Sequence, residues 1–514
     1  LLAILIAKLA NLVPGGGIWL NTQRPEWNDA NNALAGYGLS MVTLYYLHRY
    51  VDFFIQLYEE AEASSFTLPE ETEQCLRSLA QLFAQTRPET ADTPQGRRSF
   101  MDAAGLIYDT FRERLYTRGY SGTTKTISRT ELLEALKVFK AHIHYTIHKN
   151  RRSDGLYHAY NTYSVEQDGS ITLHYLDEML EGQVAVLSSR ALTGTESLEL
   201  FKALRKGRLF REDQYSYILY PNKELPHFLE KNRISKEKIQ AIPLLQKMVE
   251  QKDQRIIKID IQGIGHFNAQ FRNAKDLEAV LYRIASEDSP LASLAEQNRQ
   301  AVLDLYEATF NHRSFTGRSG TFYAYEGLGS IYWHMVSKLL LAIQETLLLE
   351  SNPEVRHSLV EAYYDVRQGL GFNKKPEVYG AFPTDPYSHT PAGQGAKQPG
   401  MTGQVKEEVL TRWGELGISI QGGQLILNPT FLKKSEFFAD GCLEFTYCGV
   451  PIVYRMGESN ETTITIFSNT PIKGMTETQK ITGSMLDRDS SQRLFNRDGS
   501  IAKIEVTIPK TKLI

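Results

Sequence analysis

The chain has 514 residues, 42% of them hydrophobic and 23% charged, which suits a globular protein with a large body and at least one smaller module. A formal net charge of −3, with no Lys/Arg stripe, excludes the basic field that a nucleic-acid binder carries. Three cysteines, Cys75, Cys442 and Cys448, are too few for a disulfide framework and point to a reducing, cytoplasmic setting.

Leu1 to Ala10 is apolar but carries Lys8, is too short to span a membrane and lacks the basic start and small-residue cleavage site of a leader. It reads as a buried helix of a chain that opens mid-element, and no membrane partner is expected. Pro14-Gly15-Gly16-Gly17 follows as a turn. The segment from Thr22 to Leu34 then sets Asp29 beside Trp27, Asn28, Asn31, Arg24 and Glu26. A ring to stack on a sugar, amides for hydroxyls and a carboxyl group able to carry a proton make a sugar-binding acid site. The same Asn and Asp residues would also serve as plain caps of the next helix.

Apolar spacings of three and four predict helices over 34–58, 73–83, 131–147, 176–192, 275–285, 291–310, 331–349 and 355–368. The stretches 50–153 and 223–254 read as helical insertions. His142, His144 and His148 share one helical segment without a convergent carboxylate or Cys, so no metal is expected there. From about Gly422 the period becomes that of strands, at 424–427, 442–447, 451–454, 462–467 and 501–508. Helices first and a β module last is the expected plan.

Three further stretches concentrate polar groups near glycine. Gly317–His334 carries Glu326 and His334, the latter either an anion partner or a core histidine at a helix start. Pro376–Gln404 is a long Gly/Pro/Thr-rich loop that ends in Thr402-Gly403, just before a helical segment over 404–416. Amide groups at a helix N-terminus form an anion site, and Thr402 also suits a simple cap. Leu180–Ser189 carries Gln183 near a helix start.

These stretches, in their order, resemble the inverting glycoside phosphorylases of the cellobiose phosphorylase type, a group that includes chitobiose and β-1,2-oligoglucan enzymes. Trp27-Asn28-Asp29 looks like the family's Trp-Asn-Asp motif, whose Asp is the general acid. Gln183 followed by Ala185, then Leu219-Tyr220-Pro221, is similar to its Gln-x-x-Ala helix and Leu-Tyr-Pro segment. Ser330–His334 resembles the stretch ending in the phosphate-binding His, and Met401-Thr402-Gly403 the Leu-Thr-Gly turn that binds phosphate.

The resemblance implies an (α/α)6 barrel over 1–420, of the six-hairpin glycosidase kind, with a C-terminal β-sandwich or β-sheet module over 421–514. It implies Asp29 as catalytic acid, and Arg24, Trp27, Asn28, Gln183 and Glu326 as substrate-binding residues. His334, Thr402 and Gly403 would hold inorganic phosphate as co-substrate, with no cofactor or metal. An oligosaccharide or disaccharide is the expected partner, with a homodimer as the expected assembly. The family carries a β-sandwich, the first barrel helices and a phosphate-binding Arg ahead of its acid. Only 28 residues precede Asp29 here, so a missing N-terminal segment is expected.

Two rival readings stay open. An inverting glycoside hydrolase on the same barrel needs a second carboxylate to activate water, and Glu326, Glu377 and Glu407 are candidates. A noncatalytic carbohydrate-binding barrel needs neither.

Overall fold

The computed structural model describes residues 1–21, 34, 36–221, 227–310, 329–383, 386–399, 402–469 and 478–514. They form two compact units: Leu1–Trp19, Leu39–Pro221 and Gly329–Ile514 make one, and Leu20–Gly38 with Asn222–Leu328 make the other. The chain is mainly helical with small sheets.

The larger unit opens on helix α1 (Leu2–Leu9), which buries Leu2, Leu5, Ile6 and Leu9 at the spacings of one helix face. Helix α2 (Met41–Glu60) starts seven residues later than the apolar pattern suggests. Gly38–Ser40 is drawn instead into a strand against Gly17–Trp19, and the Ser40 hydroxyl caps α2 by accepting from Thr43 N–H. Tyr160–Val165 and Ile171–Tyr175 complete that five-stranded sheet. Helices α3 (Glu70–Gln85), α4 (Pro94–Arg118) and α5 (Arg129–Lys149) follow, and the two-stranded sheet of Ser65–Pro69 with Thr124–Ser128 ties the feet of α3 and α5 together. Helix α5 packs along α2.

Next come α6 (Leu180–Ser188) and α7 (Gly194–Lys206), the latter begun by a reciprocal Thr193–Glu196 capping box. Beyond the second unit the chain resumes with α11 (Trp333–Leu349), α12 (Pro353–Gln368) and α13 (Thr402–Glu415). Helices α2, α6, α11 and α13 pack in that succession, while α5, α7 and α12 lie against them as a second layer. The helix expected to begin at Gln404 begins two residues earlier, so Thr402 and Gly403 belong to its first turn.

The last part of this unit is a five-stranded sheet. Its order is Cys442–Tyr447, Val450–Gly457, Ile501–Pro509, Thr463–Ser468 and Thr478–Thr482, with a parallel pair between the second and third. Ile452, Tyr454, Ile464, Ile466, Ile504 and Val506 belong to its core, and α14 (Arg488–Asn496) packs on the hairpin Ile418–Gln421/Gln424–Leu427. The Tyr454 hydroxyl donates to Leu416 O at 2.6 Å, where α13 ends. The boundary near residue 420 is thus a change of secondary structure within one compact unit.

The smaller unit has its own core of Ile234, Leu245, Ile257, Phe267, Leu281 and Tyr306. It comprises α8 (Pro243–Glu250), α9 (Ala274–Ala285), α10 (Leu291–Phe310) and the hairpin Ile257–Ile259/Gly265–Phe267. The buried Asn232 amide holds that hairpin, donating to Phe267 O and accepting from Phe267 N–H, each at 2.8 Å. The insertion expected over 223–254 is therefore only part of a larger body, because its apolar face needs α9 and α10 to cover it. Among the described residues no helix is long and apolar enough to cross a membrane.

Candidate functional site

Ser330 and the strand Ile331–Tyr332 lead directly into α11, and this strand pairs antiparallel with Tyr387–Thr390 in the register Tyr332↔His389. The pairing is locked from two sides. Arg211 donates to Gly329 O at 2.9 Å and to Thr390 O at 2.8 Å, and the buried Trp333 indole donates to Thr390 Oγ1 at 2.9 Å. Residues 57 to 59 positions apart in the chain are thereby held side by side, which brings three rings together. Tyr332 stacks on His389 with centroids 4.9 Å apart and planes 14° from parallel, and its hydroxyl lies 3.4 Å from His334 Nδ1.

His334, the second residue of α11, is half-buried, and its Nε2 makes no hydrogen bond among the described residues. The nearest charge to Nε2 is the buried Glu407 carboxylate of α13, at 3.6 Å, itself 3.5 Å from Lys406 Nζ. Burial, then the Lys338 and Lys406 ammonium groups, hold the His334 pKa below its usual value, while Glu407 pulls the other way. The ring is thus neutral near pH 7. A Tyr332 hydroxyl donating to Nδ1 would leave the proton on Nε2, as a donor.

Beside it, Ser388 and His389 Nδ1 are 2.5 Å apart, and burial lowers the His389 pKa. On α13 the Gln404 amide donates to Glu408 at 3.0 Å, and burial raises the Glu408 pKa. The Tyr46 hydroxyl of α2 is pushed up to about 12 by burial and by the carboxylates of Glu181 on α6, Glu345 on α11 and Glu407 on α13. Arg49 of α2 binds Glu345 through both guanidinium nitrogens, at 2.8 and 2.9 Å.

Of the expected site residues, Arg24, Trp27, Asn28, Asp29 and Glu326 lie outside the described residues. Thr402 and Gly403 open α13, whose first amide groups are the ones a helix leaves unbonded, and Glu407 stands on that helix near His334. Gln183 of α6 is fully buried, its carbonyl accepts from Tyr157 N–H at 2.9 Å, and its NH2 donates to Tyr157 O and Met179 O at 2.7 and 2.9 Å. These three bonds clamp it to the main chain and leave its carbonyl oxygen one further accepting direction. Glu377, a candidate water-activating carboxylate, is exposed on a four-residue helix.

Tyr332, Lys338 and Lys406 had not been singled out, and His389 only as part of a loop. An alternating Tyr-x-His at 332–334 and a second Tyr-x-His at 387–389 were the available signal, but their pairing is a tertiary fact. A cleft of about 910 Å³ lies elsewhere, between α7 and α12. There Arg205 pairs with Asp365 at 3.3 Å and Lys433 sits over the Tyr364 ring at 3.8 Å. None of its lining residues belongs to the His334 cluster.

Among the described residues no group of three or more His, Cys, Asp or Glu side chains could hold a metal ion. The His144 and His148 rings meet edge to face with centroids 4.3 Å apart, and the His48 ring of α2 comes within 5.7 Å of His144. In comparison with known families, residues 225–313 match the GH149 phosphorylase insertion domain 2. The match covers most of the inserted unit and supports a glycoside phosphorylase family, without specifying the cellobiose, chitobiose or β-1,2-glucan type. No curated protein matches the chain.

Proposed function

We propose that this protein is a glycoside phosphorylase that cleaves a β-glucoside by inverting phosphorolysis on an (α/α)6 barrel, releasing a sugar 1-phosphate. The observation that carries the reading is the match of the inserted unit to a phosphorylase insertion domain. The half-buried His334 beside the N-terminal half of α13 agrees with it, since unbonded amides and an imidazole donor suit an oxyanion better than a water.

In this mechanism Asp29, protonated, gives its proton to the glycosidic oxygen. A phosphate oxygen attacks the anomeric carbon from the opposite face, the glycosidic bond breaks, and configuration inverts once. Phosphate replaces both the water and its activating base, so one catalytic carboxyl group is enough. His334, Thr402 and the Gly403 amide hold the phosphate. Trp27 stacks on a sugar ring, and Arg24, Asn28 and Glu326 bind hydroxyls. The cytoplasmic setting and a homodimeric assembly belong to the same proposal.

The rival hydrolase reading keeps one specific observation, the buried Glu407 carboxylate beside His334. Incubation with β-glucooligosaccharides, with and without phosphate, separates the two. Sugar 1-phosphate formed only in the presence of phosphate is the expected result; free sugar released at the same rate without it would overturn phosphorolysis.

A further inference from the structure

The one feature of the His334 cluster that does not suit a simple anion pocket is Glu407. It is 4% exposed, and it lies 3.6 Å from the imidazole nitrogen offered to the anion. It also stands four residues after Gly403, so the carboxylate and the Gly403 amide share one face of α13. An ionised carboxylate only accepts hydrogen bonds. An anion without a proton brought to His334 Nε2 would meet it as a like charge. An anion that still carries a proton would meet it as a partner, donating O–H to Glu407 while its other oxygens accept from His334 and the helix amides.

We propose that Glu407 is a specificity-determining residue that makes this site select a proton-bearing oxyanion, hydrogen phosphate or its arsenate analogue, and reject sulfate. The inference rests on the phosphorylase reading for its biological substrate, but the binding preference stands on the site alone. Rejection by an opposed acceptor is a general route to specificity. The chemistry also balances. Hydrogen phosphate attacks through an oxygen that bears no proton and keeps its P–OH on Glu407. Asp29 supplies the proton taken by the leaving sugar, and the products are a sugar hydrogen-phosphate monoanion, a free hydroxyl and an Asp29 carboxylate.

The described groups that act on Glu407 are His334 of α11 at 3.6 Å, Lys406 of α13 at 3.5 Å and, through its charge, Tyr46 of α2. None of the other carboxylates lies as close to His334 Nε2 as Glu407 among the described ion pairs.

The test is calorimetric titration of the protein with inorganic phosphate, arsenate and sulfate, repeated on Glu407→Gln with its fold checked by circular dichroism. At about pH 7.5, wild type should bind phosphate and arsenate at least roughly 10-fold more tightly than sulfate. Glu407→Gln should lose most of that ratio, chiefly through tighter sulfate. Equal affinities in wild type, or an unchanged ratio in a folded Glu407→Gln, would overturn the proposal.

Should that variant not fold, Glu407→Asp takes its place: it keeps the carboxylate but draws it back from the anion by one methylene, and should narrow the phosphate-to-sulfate ratio. An unchanged ratio would overturn the proposal. Phosphate-dependent turnover with an unchanged Glu407→Gln ratio sinks this inference and leaves the phosphorylase standing. Selective phosphate binding without any sugar 1-phosphate does the reverse.

Discussion

At the scale of single residues, Gln183 shows what a buried amide does for the backbone. Gln183→Ala would strand the Tyr157 N–H and C=O in the interior and should cost about 2–4 kcal/mol, read as a lower unfolding midpoint. If phosphate is then titrated into the folded variant, its affinity should match wild type; a large loss would place Gln183 in the binding set. His48 shows how burial alone sets a charge state. Its Nδ1 is 2.9 Å from Ser189 O, its Nε2 has no partner among the described residues, and burial lowers its pKa to about 4 from 6.5. Between those values the unfolded chain binds the extra proton. The stability is therefore complete above about pH 6.5 and is lost as pH falls toward 4, by on the order of 2–3 kcal/mol. Thermal melts from pH 7 to pH 4 should show the slope, and His48→Gln should flatten it in part, because His158 is lowered to about 4 as well.

At the scale of elements, termini decide more than interiors. Helix α13 carries the presumed anion site at one end and the β module at the other, and Gly417 makes that second junction. Its φ is +69°, and a β-carbon there would meet the Asn428 carbonyl carbon at 2.1 Å. Gly417→Ala combines left-handed strain of about 1–2 kcal/mol with that backbone clash. It should lower the urea midpoint well beyond the effect of Gly423→Ala, where φ is also positive but nothing stands within 4 Å. Similar effects for the two variants would show that the α13–strand junction is not tightly held. The start of α2 follows the same logic. The apolar pattern runs back to Leu34, but the pairing of Gly38–Ser40 with Gly17–Trp19 and the Ser40 cap fix the first turn at Met41.

At the scale of the whole molecule, two compact units with separate cores predict two responses to damage. Phe267→Ala removes a buried ring from the smaller unit and should cost it roughly 3–5 kcal/mol. Calorimetry should then show one transition moved down and a second unchanged; a single transition shifted as a whole would mean that the units melt together. The sequence by itself determined the helical character, the strands after Gly422 and the stretch ending in His334, because periods of 3.6 and 2 and glycine-rich turns are local properties. Its run of charge over 223–254 reads as a helical insertion. Only the tertiary structure decided that this insertion reaches Leu328, that Gln183 clamps the backbone at Tyr157, and that Tyr332, His334, His389 and Glu407 meet. The physical reason is that strand register and helix packing join residues by hydrogen bonds and burial across tens of positions, and no local period records which distant partner satisfies them.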